Sequence, residues 1–329
     1  VESVLIGDPA VALTGSHMDG PQDIVSNEHR RFSIFGLGTV VVDHQVVMEG
    51  IPVADTKGEV ITDRYQVGGP VPTALALLRR LGMEATFLGR WASDPFGAMI
   101  EEDLRDHGVQ FTAPPETEEA RTGFAHVWVE HGTGRRSIAA YRGSHPVETH
   151  HVDHGEVGGH HALHLDGWSG EAAVVAATVM QEHGGKVFLD LGSPKPHLEE
   201  LLAHVDLLNC PARLIPRLFG TEDLVAGGRR ILEMGPREVT ITSGEAGALF
   251  LSAGVVLEQA AFPVEAVDTN GAGDVFAGAM IFASMQGWEP EKRLRFACAA
   301  SALKCRGLGN RDALPGLQEI GDFLRTNDK

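Results

Sequence analysis

The chain has 329 residues, with 27 Lys and Arg against 45 Asp and Glu, a formal net charge of -18 and 43% apolar residues. That length and apolar content suit a large α/β domain with a sizeable core, while the acidic balance excludes a nucleic-acid binder or a membrane-surface protein, both of which need clustered Lys and Arg. An anionic substrate stays open, because a pocket can be basic within an acidic chain.

Residues 1–31 read as an N-terminal tail. The first fourteen lack a basic start and are broken by Asp8-Pro9, unlike a secretion signal, and Gly15-Ser16-His17-Met18 has the form of a cloning scar. The domain is read as residues 32–329. An apolar strand at 32–35 runs into Gly36-Leu37-Gly38 and Val40-Val41-Val42-Asp43, a helix is expected over 72–81, a strand over 84–88 and an amphipathic helix over 94–107. Short apolar strands follow at 162–165, 187–190, 205–208 and 239–242, with helical segments between most of them. This alternation predicts a mainly parallel sheet covered on both faces by helices, with ligands beyond the carboxyl ends of its strands.

Two segments break the rhythm. Residues 60–67 and 124–130 alternate polar and apolar, and the second turns at Gly132-Thr133-Gly134 into residues 136–141. They predict antiparallel strands outside the main sheet, as a small lid or as an ordinary sheet edge. His145, His150, His151, His154, His160, His161 and His164 crowd one stretch, but without metal-ligand spacing or a nearby cysteine they read as a solvated connection and receive no metal. Cys210, Cys298 and Cys305 are too few and too scattered for a disulfide framework, which favours a reducing, cytoplasmic setting. No apolar run approaches the roughly 18 residues that span a bilayer.

The segment richest in chemistry is 266–279. A loop of small residues leads into an apolar helix, so the unsatisfied N–H groups of Gly271, Ala272 and Gly273 and the positive end of the helix dipole can face an anion. A carboxylate, Asp274, beside a bound phosphate makes sense as a general base that removes a proton from an attacking hydroxyl. The same residues also suit a plain helix start, where first-turn Asp is favourable and small residues permit close packing. Neither a Walker A loop nor a dinucleotide fingerprint fits the spacing.

Asp268-Thr269-Asn270-Gly271-Ala272-Gly273-Asp274-Val275-Phe276 resembles the C-terminal signature of the ribokinase-like (PfkB) carbohydrate kinases. Gly68-Gly69 with Leu81-Gly82, then Gly89-Arg90 with Asp94 and Gly97, and then Thr242 to Ala248 resemble further blocks of that family in the same order. The resemblance implies a three-layer α/β sandwich with a small antiparallel β lid, its segments at about 44–67 and 121–142. It implies Asp274 as catalytic base and Gly271, Ala272 and Gly273 as anion hole. Asp43 would bind sugar hydroxyls, although a turn or capping Asp reads the same way, and Gly68 and Gly69 would bring backbone close to the sugar. Thr242, Ser243, Gly244 and Gly247 would line the nucleotide site, where a hairpin turn is the plain alternative. Asp268 and Asn270 would give backbone carbonyls to a monovalent cation, K⁺. Lys57, Arg136 and Arg142, in or beside the lid, are candidates to meet an anionic substituent.

Two departures bear on this. Thr73 stands where many members have Asn after the diglycine, which alters one sugar contact, and Asn209-Cys210-Pro211-Ala212 has Ala where the family's Asn-x-x-Glu motif has Glu, a residue linked to magnesium. Residues 69–74 and 302–315 look closest to a ketohexokinase-like and sulfofructose-kinase-like branch. The implied activity is transfer of the terminal phosphate of ATP, with Mg²⁺, to a hydroxyl of a small sugar such as a ketose, by a homodimer joined through the lid. A nucleoside or sugar-phosphate kinase and a non-catalytic sugar-binding regulator are the alternatives.

Overall fold

The computed structural model describes residues 29–112, 120–133, 135–144 and 146–327; the expected tail falls almost wholly outside them, as do Gly134 and His145. The first elements are β1 (Ser33–Leu37), β2 (Val41–Met48), β3 (Val60–Gly68), α1 (Pro70–Arg80), β4 (Glu84–Leu88), α2 (Pro95–Asp106) and β5 (Gln110–Phe111). Next come β6 (Phe124–Glu130), β7 (Arg136–Tyr141), α3 (His154–Gly158), β8 (Ala162–Leu165), α4 (Glu171–Glu182), β9 (Lys186–Asp190) and α5 (Leu198–Leu202). The remainder is β10 (Leu207–Pro211), α6 (Ile215–Phe219), α7 (Leu224–Glu233), β11 (Glu238–Thr242), β12 (Ala248–Ser252), β13 (Val255–Gln259), α8 (Ala272–Met285), α9 (Pro290–Cys305) and α10 (Leu317–Thr326).

Nine strands form the large sheet in the order β13-β12-β11-β10-β9-β8-β1-β4-β5. It is parallel from β11 to β5 and antiparallel only at the β11–β12–β13 hairpin edge. Strand side chains alternate between two cores, as a sheet buried on both faces requires. Ile34, Phe188 and Phe250 join α1, α2, α8, α9 and α10 on one face, whereas Phe35, Leu189 and Leu251 join α3 to α7 on the other. From Val275 to Met285 every residue of α8 is buried, because it is sandwiched between the sheet and α1 and α9; a helix apolar on all sides has no solvent face to present.

The other four strands form a separate small sheet in the order β3-β2-β6-β7. Two of its three pairings are antiparallel, β2 with β3 and β6 with β7, but the central pair β2–β6 is parallel. The small antiparallel sheet that was expected is present, mainly antiparallel with one parallel pair at its centre. The reason is topological: after β3 the chain returns to the large sheet through α1, β4, α2 and β5 before β6 begins, and a pair joined by so long a crossover can run parallel. The first expected strand is also two. β1 ends at Leu37 in the large sheet, and β2 starts at Val41 in the small one. No helix among the described residues is long and apolar enough to cross a membrane.

Candidate active site

The segment 268–274 enters α8 at Gly271, which caps the helix in the left-handed region at φ 76°. That conformation favours glycine, and a Cβ there would also come within 3.1 Å of the Asn310 side-chain oxygen. Ala272 N–H donates to the Thr269 carbonyl at 3.3 Å. The N–H groups of Gly273 and Asp274, next in the turn, have no intrahelical acceptor. Gly273 is exposed and Asp274 half-buried. Burial raises the Asp274 carboxyl above the ordinary range, against the pull of Arg136, Arg311 and Lys304.

Asp43 lies on the face of β2 that looks toward this turn. Its carboxylate accepts a hydrogen bond from Asn310 Nδ2 at 3.3 Å, and Asn310 in turn accepts from Asn270 Nδ2 at 3.1 Å. Burial pushes Asp43 up to about 6, and the Asp274 charge adds to the rise while the Asn270 and Asn310 amides oppose it. The Asp43–Asn310–Asn270 chain thus links the β2 carboxylate to the turn that precedes Asp274. The diglycine is explained by the same packing: a Cβ on Gly68 would stand 2.4 Å from Asp43 Oδ2, and Gly69, at φ 108°, has the Thr39 carbonyl 2.2 Å from where a Cβ would sit. Thr73, expected at the sugar, is fully buried on α1 and its hydroxyl accepts from Arg311 Nη1 at 2.9 Å. Arg311 is fixed from the other side by Asp103 at 3.1 Å.

Asp268 is the hub behind the turn. Its carboxylate accepts from Asn270 N–H at 2.8 Å, Gly309 N–H at 2.9 Å and Gln45 Nε2 at 3.0 Å. Burial would raise this carboxyl, but the Lys304 ammonium and these donors outweigh it and hold it below the usual carboxylate range. Lys304, from the last turn of α9, is fully buried; its Nζ donates to the Asp268 carbonyl oxygen at 2.8 Å and lies 3.6 Å from Asp268 Oδ2. The expectation that Asp268 and Asn270 carbonyls hold K⁺ does not fit this geometry. The Asp268 carbonyl already serves an ammonium, and two like charges at 4 Å repel by about 4 kcal/mol at an effective protein dielectric of about 20.

Arg136, on β7, reaches over the turn and donates to Thr269 Oγ1 at 2.8 Å. Lys57 is exposed in the connection between β2 and β3 and forms no hydrogen bond or ion pair with any of these residues. Arg142 lies 3.9 Å from the Trp168 ring centroid, and Lys195 Nζ lies 3.8 Å from the same ring. Trp168 and Lys195 follow β8 and β9 at the carboxyl edge of the large sheet. Burial lowers Lys195 to about 8, against the pull of Asp166. Asp166 accepts from Thr39 N–H at 2.8 Å and Trp168 N–H at 2.9 Å, and so ties the β1 and β8 ends together.

Where the Asn-x-x-Glu motif was expected, Asn209 Nδ2 donates to Asp190 Oδ1 at 2.8 Å and Asn209 Oδ1 accepts from Thr240 at 2.9 Å. Burial, followed by the Asp274 charge, pushes Asp190 up to about 8. Among the described residues no group of three or more His, Cys, Asp or Glu side chains could cage a metal; the six described histidines of the 145–164 stretch are scattered, with His160 bonded to Thr86, His161 to Ser33 and His164 buried in β8. A Mg²⁺ that fits here is one held mainly by phosphate oxygens. The expected nucleotide residues stand at the β11 end: Thr242 is its last residue, Ser243 N–H donates to the Gly247 carbonyl at 2.8 Å, and Gly244 opens a single turn into β12.

The residues that sequence reading missed in this site are Gln45, Gln66, Asp166, Trp168, Asp190, Lys195 and Asn310. Gln66 accepts from Asn310 N–H at 2.9 Å. Arg311 and Lys304 had been noted only as marks of a branch. Their signal was there in part, since a Lys between apolar residues on a buried helix face is rare unless paired.

With this geometry in view, the pfkB family carbohydrate kinase profile matches residues 32–316. Ketohexokinase of Mus musculus is 25% identical over 294 residues, which cover 85% of this chain and 98% of that protein. A ribokinase from Arabidopsis thaliana, solved with ribose and ATP, superposes with a TM-score of 0.75 at 24% identity over 90% of this chain and 99% of its own. A protein assigned as ribokinase II from E. coli, solved with ATP and Mg²⁺, gives 0.76 at 23% identity over the same 90% and 99%. The large sheet, the small sheet over its carboxyl edge and the match along nearly the whole chain agree, and the chain belongs to the pfkB family of carbohydrate kinases, enzymes that phosphorylate a sugar hydroxyl.

Proposed function

We propose that this enzyme transfers the terminal phosphate of ATP to a hydroxyl of a small sugar of the ketose class, bound against Asp43, with Asp274 as the general base. The observation that carries the reading is the hydrogen-bond chain from Asp43 through Asn310 to Asn270, which ties the β2 carboxylate to the glycine turn that opens α8, with Asp274 in the first helical turn. A carboxylate raised by burial is a better proton acceptor once ionised, and it lies beside N–H groups suited to an anion. The sugar's hydroxyls would donate to Asp43 while Gly68 and Gly69 let backbone approach. The Gly271–Gly273 turn with Asp274 N–H would hold the moving phosphoryl, and Thr242, Ser243, Gly244 and Gly247 would flank the nucleotide. Mg²⁺, bound through the ATP phosphates, supplies charge neutralisation.

Asp274→Asn should fold and bind ATP normally while turnover falls by about a hundredfold or more, measured as ADP release. Near-normal turnover would remove Asp274 from the mechanism. Three free thiols suit a cytoplasmic setting, and the outer face of the small sheet suits a homodimer.

A second reading within the same chemistry, a sugar-phosphate substrate, is favoured by Arg142 and Lys195 against Trp168, with Arg136 on β7 and Lys57 in the β2–β3 connection as further cations. Two cations at the substrate edge match a phosphate or sulfonate. Assays with fructose, ribose, fructose 6-phosphate and adenosine separate the readings. A preference for the phosphorylated sugar that is lost in Lys195→Met selects the second, and sugar binding without ADP release with any of the four selects a non-catalytic regulator.

A further inference from the structure

Lys304 is the most deeply buried cation near the site, with no measurable exposure. Lysine is almost never fully buried unless a partner holds it, and here the partners are the two kinds of oxygen on one residue. The Asp268 carbonyl accepts at 2.8 Å and its carboxylate lies at 3.6 Å. Asp268 opens the turn that becomes the N-terminus of α8, and its carboxylate also orders Asn270 N–H and Gly309 N–H. The ammonium thus stands directly behind the groups that face the transferred phosphoryl. Its field reaches the base, since Lys304 is among the charges that favour ionised Asp274. α9 brings it there from 36 residues away in sequence, so its location is fixed by helix packing and not by local chain geometry.

We propose that the Lys304 ammonium is a built-in monovalent cation for the 268–274 turn, so that catalysis needs no free K⁺. This rests on the kinase reading for its rate measurement but not for its ion-binding measurement. A resident ammonium supplies one positive charge at the Asp268 carbonyl, as a bound alkali ion would, and the two exclude each other by sharing that oxygen. Lys304 acts on the turn and not on the substrate, so it is a positioning residue.

The enzyme is dialysed free of K⁺ and assayed at constant ionic strength in choline chloride, NaCl or KCl, with the best substrate of the four above. Wild-type rates in the three salts should agree within about twofold, and equilibrium dialysis with thallous ion, a K⁺ surrogate, should find no saturable site. Lys304→Met keeps the side-chain length but removes the charge. It should lose about tenfold or more of its turnover in choline chloride, regain it in KCl or NH₄Cl, and bind one thallous ion per chain. Saturable activation of the wild type by K⁺ beyond about fivefold, or a thallous ion bound to it, would overturn the proposal. So would a folded Lys304→Met that is fully active without K⁺. Should that variant not fold, the wild-type dialysis decides alone. If no substrate turns over, the kinase reading fails while the dialysis still reads the role of Lys304.

Discussion

In the proposed role Asp43 would accept from sugar hydroxyls most strongly as an ionised carboxylate, yet it stands where ionisation is difficult. Only 7% of it is exposed, and burial lifts it to about 6. The sign of the consequence is definite. The folded value lies above the ordinary 3.8 of the unfolded chain, so the native state retains a proton that the unfolded state has lost. The stability from that proton is full below the unfolded value and is lost as pH rises through about 6. At neutral pH the protein therefore carries an ionised, buried Asp43 at a cost to its fold. Asp43→Asn should raise the unfolding free energy at pH 7.5 by about 1 to 3 kcal/mol, read from urea denaturation. The same variant should raise the sugar KM about tenfold or more, because charged hydrogen bonds are the stronger kind. In the wild type kcat/KM should fall below about pH 6 as Asp43 takes up its proton. An Asp43→Asn enzyme no more stable than the wild type, with an unchanged acid limb, would contradict this account.

The small sheet and the turn before α8 are joined by Arg136, from β7, at Thr269. Arg136 heads the charges that favour ionised Asp274 against burial. Removing it should raise the Asp274 pKa further, so the acid limb of the rate profile moves to higher pH and the base is less ionised at any given acidic pH. Arg136→Ala is expected to slow turnover about three- to tenfold at pH 6 and less at pH 8. Stability should change by no more than about 0.5 kcal/mol because the residue is exposed. A uniform loss at all pH values would mean that Arg136 acts through contact alone. This bridge also marks the limit of what was legible in the chain. The Gly-Ala-Gly-Asp turn could be read because its parts are contiguous, and the alternating βα rhythm because period-2 and helical patterns are local. Gln45, Gln66, Asn310 and Lys304 were not, since each belongs to a different element and acquires its role only when the small sheet closes over the loop after α9. The parallel β2–β6 pairing left no trace in sequence, because alternation looks the same whichever way a neighbour runs.

At the scale of the whole molecule the small sheet has two faces with different fates. Asp43, Gln45, Gln66 and Arg136 turn toward the large sheet, whereas His44, Tyr65, His126 and Trp128 have the opposite parity. These rings form a continuous stripe: His44 stacks on Tyr65 at 4.4 Å, meets His126 at 5.6 Å, and His126 stacks on Trp128 at 6.2 Å. Phe96 covers one end of the stripe at Tyr65, yet Tyr65 remains 51% exposed and nearby Ile61 48%. Aromatic side chains dominate the energetics of interfaces, and contiguous apolar patches on a monomer mark contact sites. A two-fold dimer buries the same patch on both partners, and the sheet that carries Asp43 would then be braced from outside. Sedimentation equilibrium at micromolar concentration should find a dimer. Tyr65→Glu, which sets like charges across the two-fold axis, should shift it to monomer. That monomer should keep its fold and show a raised sugar KM with kcat less affected, since loss of the brace loosens Asp43 while Asp274 stays on α8. A monomeric wild type, or a monomeric variant with unchanged KM, would leave the stripe without this role.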